Sequence, residues 1–146
     1  METFFLDEAI ILVSKNILTK TVLKVSLCNI NQPIYDVDGI EDLASSIHRL
    51  RKKKYLIIAD ISELSSEECL ELNNYTQSLY AVGKDVSTFL VIGNSFKQLD
   101  KFSNNVTLTS FTQKPLNKHT LHQIVQRVFT PVYSINTSKI PISIAL

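Results

Sequence analysis

The sequence predicts an α/β fold: a five-stranded parallel sheet, doubly wound as (βα)5, with helices on both faces in a three-layer sandwich. Two observations carry that reading. Short, largely apolar runs recur at Ala9 to Val13 (AIILV), Tyr55 to Ala59 (YLIIA) and Ser87 to Ile92 (STFLVI), as strands covered on both faces require. Between them apolar residues return every three or four positions, the mark of helices that bury one face.

The elements follow in order. After AIILV, Asn16 is placed to cap a helix in which Leu18, Val22, Leu23, Val25 and Leu27 fall mostly on one face. Gln32-Pro33 breaks it, and Ile34 to Val37 is a short strand closed by Asp38-Gly39. Ile40, Leu43, Ile47 and Leu50 then carry a helix into the basic run Arg51 to Lys54, whose cations complement the helix dipole in its last turn and stay solvated. YLIIA ends at Asp60. A helix follows from Ser65 or Ser66, through Cys69, Leu70, Leu72, Tyr75, Leu79 and Tyr80, to Gly83. STFLVI is closed by Gly93-Asn94. Phe96, Leu99 and Phe102 suggest a short helix, Val106 to Thr112 a fifth strand, and Leu116 to Phe129 a final helix.

The bulk properties bound what this fold does. A chain of 146 residues gives one domain, expected over residues 1–130, with an extended tail over 131–146. The formal net charge of +1 argues against a dedicated nucleic-acid binder. No apolar run approaches the ~18 residues of a membrane span, and acids stand where a secretory signal carries cations, so a cytoplasmic location is expected. The sequons at Asn74, Asn105 and Asn136 are then chance matches, and Cys28 and Cys69 are read as buried, reduced thiols. His48, His119 and His122 sit in helices with no third ligand at metal-binding spacing, and are read as solvated or partly packed.

In a sheet of this kind the site lies at the carboxyl ends of the strands. Those positions hold Ser14-Lys15, Asp60, Gly93-Asn94 and Lys114-Pro115. Their order resembles the receiver domain of two-component response regulators, across residues 8 to about 130. Tyr55 to Ile61 looks like the family's strand ending in its phosphoacceptor aspartate, here Asp60. Phe111, three residues before Lys114, stands where the family has its switch aromatic, and Lys114-Pro115-Leu116 matches the family's Lys-Pro signature. A flavodoxin-like arrangement shares the strand order.

The resemblance implies phosphoryl transfer to Asp60 around a Mg²⁺ ion held by two acidic residues after the first strand. Those two places are Ser14 and Lys15. Magnesium is held by hard oxygens, usually carboxylates, and a nearby ammonium repels it. Gly93 stands where the family has a hydroxyl that binds the phosphoryl group and couples it to the aromatic. Both metal acids and that hydroxyl are missing, so the chain reads as a pseudo-receiver, with no metal, no cofactor and no catalysis. Asp60 is expected to pair with Lys15, Lys114 or both. Lys15 would then replace the charge of the missing metal, the alternative being a Lys15 that points to solvent. A cis Lys114-Pro115 peptide is also implied.

The expected function is a phosphorylation- and metal-independent interaction or regulatory module in signal transduction, bound to another signalling protein or an output module, with no direct contact to nucleic acid or membrane. A homodimer through the last two helices or the C-terminal tail is the expected assembly. The first rival is a working receiver phosphorylated on Asp60. The second is a mononucleotide binder using Ser14 to Thr19 as a phosphate loop, which the lack of glycine before Gly39 disfavours. The stretch from 130 to 146 (TPVYSINTSKIPISIAL) lacks acids and alternates from Ile140 to Leu146. It is read either as an edge strand on the domain, a second copy or a partner, or as a connector to an output module.

Overall fold

A computed structural model describes residues 7–130. Within them the chain forms β1 (Glu8–Val13), α1 (Ile17–Ser26), β2 (Ile34–Val37), α2 (Ile40–Leu50), β3 (Lys54–Asp60), α3 (Ser66–Ala81), β4 (Asp85–Ile92), a 3-10 turn (Lys97–Phe102), β5 (Leu108–Gln113) and α4 (Lys118–Phe129). All strand pairs are parallel, in the order β2-β1-β3-β4-β5. The expected α/β three-layer sandwich is the observed one, and the expected short fourth helix is a six-residue stretch of 3-10 helix.

The alternation of strand side chains builds two cores. Ile10, Leu12, Leu56, Ile58, Phe89 and Val91 face α1 and α4. Ala9, Ile11, Tyr55, Ile57, Leu90 and Ile92 face α2, α3 and the 3-10 turn. Each fully buried Leu or Ile contributes about 1.5–3 kcal/mol relative to exposure, and the three central strands are buried along almost their whole length. Registers Val13↔Ala59 and Asp60↔Val91 bring the ends of β1, β3 and β4 to one edge. That edge is where the site is assembled.

Local chemistry sets the helix ends. Asn16 caps α1 by accepting from the backbone N–H of Leu18 and Thr19. Ser65 and Glu68 form a reciprocal capping box on α3, which satisfies two donors the helix cannot. Gly83 follows α3 with φ +90°, a conformation costly for any residue with a Cβ.

Three expectations are corrected. In α1 only Thr19 and Leu23, with Leu27 just past its end, reach the core, while Leu18, Val22 and Val25 are exposed. A ten-residue helix over the sheet buries one narrow stripe at i, i+4, i+8, and those three residues lie outside it. The basic run does not finish α2. The helix stops at Leu50, Arg51 takes a left-handed φ of 52°, and Lys54 already belongs to β3. Cys28 is exposed and only Cys69 is buried.

One polar cluster lies inside the structure. The Asn105 amide donates to Asn73 Oδ1 and Thr76 Oγ1, both at 2.9 Å, and its carbonyl accepts from Thr107 N and Oγ1 at 2.8 and 2.6 Å. Thr107 Oγ1 continues to Thr88 Oγ1 at 2.9 Å. This ties α3 to β4 and to the entry of β5, and it removes the Asn105 sequon from solvent. The expected tail over 131–146 lies outside the described residues.

Candidate functional site

Asp60 ends β3 and is 1% exposed. A carboxylate that far from water must have its lone pairs satisfied by donors. Oδ1 accepts from Ser62 N at 3.0 Å and from Ser62 Oγ at 2.6 Å. Oδ2 lies 2.9 Å from the Lys114 ammonium, with the Ser14 hydroxyl at 3.4 Å. Lys114 Nζ also donates to Ser62 Oγ at 3.1 Å. Aspartate, serine and lysine thus close a three-membered ring of hydrogen bonds. Burial pushes the Asp60 carboxyl up, but the bonds from Ser62 and Lys114 outweigh it and hold the group below the ordinary aspartate value.

Each partner is placed by its element. Lys114 follows β5, where its backbone N–H bonds Ile92 O at 3.0 Å, and it precedes Pro115 through a cis peptide. Ser14 is fully buried after β1, and its hydroxyl also accepts from Asn16 N at 3.0 Å. Ser62 was not singled out in the sequence. Its signal is the spacing Asp60-Ile61-Ser62, in which an Asp side chain takes the N–H two residues on.

Lys15 goes elsewhere. Its ammonium meets Glu68 Oε2 at 2.5 Å, clipping the β1–α1 loop to the first turn of α3. That ammonium, then the backbone N–H of Ser65, holds the Glu68 carboxyl below its ordinary value. The charge facing Asp60 comes from Lys114 alone among the described residues, so of the two expected pairings one is found.

Gly93 borders the same ring. A Cβ built on it would lie 3.1 Å from Ser62 Cβ, so a hydroxyl-bearing side chain there crowds Ser62. Phe111 does not cover the ring. It is exposed and meets Phe96 edge to face, with centroids 6.4 Å apart and an interplanar angle of 83°. Leu99, Phe102, Leu121, Val125 and Val128 pack into the two cores.

The donor set offers a magnesium ion one carboxylate, Asp60, with Ser14 and Lys15 standing where further acids would be needed. Asp60 is the one carboxylate in the ring, both its oxygens are engaged, and an ammonium sits at its open side. No group of three or more His, Cys, Asp and Glu able to hold a metal occurs among the described residues. The loop from Ser14 to Thr19 is no phosphate cradle either. The Asn16 side chain already takes the N–H groups of Leu18 and Thr19, and Glu63 lies 2.6 Å from the Asn16 amide, where an anion would have to sit.

No protein-family model and no curated protein match the chain. Solved structures do. The signal receiver domain of a response regulator from Bermanella marisrubri is similar with a TM-score of 0.69 and 11% identity, over 84% of this chain and 97% of that one. The N-terminal signal receiver domain of a two-component response regulator from Bacteroides fragilis gives 0.67 and 16%, over 86% and 98%. A response regulator receiver modulated diguanylate cyclase from Pelobacter carbinolicus gives 0.61 and 16%, over 83% and 91%. The chain has the fold of a response-regulator receiver domain.

Proposed function

We propose that this chain is a pseudo-receiver: a regulatory domain of signal transduction that binds another signalling protein or an output module without metal or phosphorylation. The observation that supports this reading is at the end of β1, where Ser14 is buried against Asp60 and Lys15 turns away to Glu68, so that among the described residues no acid from β1 stands beside Asp60 to share a divalent cation. Phosphoryl transfer to a carboxylate needs a divalent cation to neutralise charge in the transition state. Lys114 brings one positive charge to Asp60 Oδ2, where a divalent cation would bring two. Asp60, Ser14, Gly93 and Lys114 therefore serve as a fixed structural node, and Phe111 lies outside it.

An interaction module needs exposed apolar surface, and α1 supplies it at Leu18, Val22 and Val25, beside a cleft of about 310 Å³ lined by Pro115 and Leu116. No helix among the described residues is long and apolar enough to cross a membrane, and we place the domain in the cytoplasm. Amide NMR during a titration with millimolar Mg²⁺ tests the reading. Unchanged signals at residues 14–16, 60–63 and 93 are expected, and saturable shifts at those positions would sink it.

A further inference from the structure

The groove between α2 and α3 has a feature independent of the Asp60 ring. Both helices follow strands of one parallel sheet, so they run side by side in the same direction. Each carries acids in its first turn, Glu41 and Asp42 on α2 and Glu67 and Glu68 on α3. Each is followed by a cation, Arg51 after α2 and Lys84 after α3. Helix dipoles favour that order in each helix separately. Because the helices are parallel, the two gradients coincide and the whole face is polarised.

The groove records it. Its end near the strand carboxyl termini is a recess of about 550 Å³ lined by Glu41, Asp42, Glu68 and Glu71, with Lys15 the one cation, already paired to Glu68. Its other end is a recess of about 380 Å³ with His48, Arg51 and Lys84 at its lining and no carboxylate. Ala44 lines both, and Ile47, Tyr75 and Leu79 give the second an apolar floor. Among the described residues Glu41, Glu71, Arg51 and Lys84 are in no ion pair.

A face that is acidic at one end and basic at the other, with Ala44 between the two recesses, is complementary in charge to its own copy turned through 180°. We infer that this α2–α3 face is a self-association surface on which a second copy of the chain docks antiparallel about a two-fold axis. Glu41 and Glu71 of each copy then meet Arg51 and Lys84 of the other, and Ala44 and Tyr75 lie near the axis. A two-fold contact of this kind closes at the dimer and builds no filament. The helices are ~16 and ~24 Å long, and two side by side offer about 400 Å² per copy. That is half the ~800 Å² per partner of a stable complex, so the dimer is weak and salt-sensitive.

Two charge-reversed chains test it. Arg51→Glu/Lys84→Glu makes the face acidic throughout, and Glu41→Lys/Glu71→Lys makes it basic throughout. Sedimentation velocity at low salt should show the wild type dimerising at high concentration. Each variant alone should be monomeric, its self-association weakened at least ~10-fold, while an equimolar mixture should associate more tightly than the wild type. High salt should dissolve that complex. If Arg51→Glu fails to fold, because Arg51 holds a left-handed backbone, His48→Glu/Lys84→Glu takes its place. A mixture that does not associate, or a variant that dimerises as the wild type does, overturns the inference.

Discussion

Replacing Lys114 with Met keeps the stem of the side chain and removes the ammonium that, alone among the described residues, faces Asp60. The carboxylate is 1% exposed, whereas the Lys114 side chain is 30% exposed. Taking one partner from a fully buried pair costs about 3–5 kcal/mol, because the other charge is left uncompensated. Here both bonds from Ser62 to Oδ1 and the longer one from Ser14 remain, and water reaches the vacated position from the exposed side. We expect a loss of about 2–3 kcal/mol. Asp60→Asn should cost less, about 1 kcal/mol, since the stranded ammonium lies near solvent. A double-mutant cycle read by urea unfolding should give a coupling of at least ~1 kcal/mol between the two sites. The Asp60 carboxyl, followed by NMR in Lys114→Met, should also titrate at higher pH than in the wild type, because burial raises it and Lys114 no longer opposes that. A Lys114→Met variant as stable as the wild type, or an unmoved Asp60 titration, would refute the ring as the anchor of this site.

The same ring sets the acid limb of stability. The folded Asp60 carboxyl lies below its unfolded value, so its contribution is complete above the ordinary aspartate range and is lost as pH falls through the folded value. Unfolding free energy should therefore decline at acidic pH, and Asp60→Asn should flatten part of that decline in urea titrations at stepped pH. Asn105→Ala strands Asn73, Thr76 and Thr107 in the interior and should cost about 2–4 kcal/mol in the same assay. The two thiols should separate cleanly under a thiol reagent. Cys28 is exposed and should react at once. Cys69 is buried, its thiol pushed up to about 11 by desolvation, and should react only on unfolding.

Most of the fold was legible because β1, β3 and β4 carry continuous apolar stretches and the breaks between elements carry Pro, Gly or capping residues. Ala9 to Val13, Ile34 to Val37 and Tyr55 to Asp60 stand where their hydrophobicity put them. The orientation of α1 was not legible, since Leu18, Val22, Leu23, Val25 and Leu27 make one broad stripe in sequence and only the sheet decides which edge of it is buried. The end of α2 was hidden for a related reason: cations suit a helix C-terminus and also a left-handed cap, and Arg51 took the second role. At the site, the strand-end positions were readable from topology. Lys15 was not, because its partner Glu68 comes from a helix that sequence spacing does not place beside it. Nor did spacing reveal that Ser62 fills the space a side chain at Gly93 would take.

Whether Asp60 is a node or a phosphoacceptor is decided most directly by intact mass. The purified chain is incubated with acetyl phosphate and Mg²⁺ and compared with Asp60→Asn. With Ser14 and Lys15 at the places of the metal-holding acids, we expect no added phosphoryl group on either. A gain of one phosphoryl mass on the wild type, absent from Asp60→Asn, would mean that the ring opens to a phosphodonor and that the domain is a working switch.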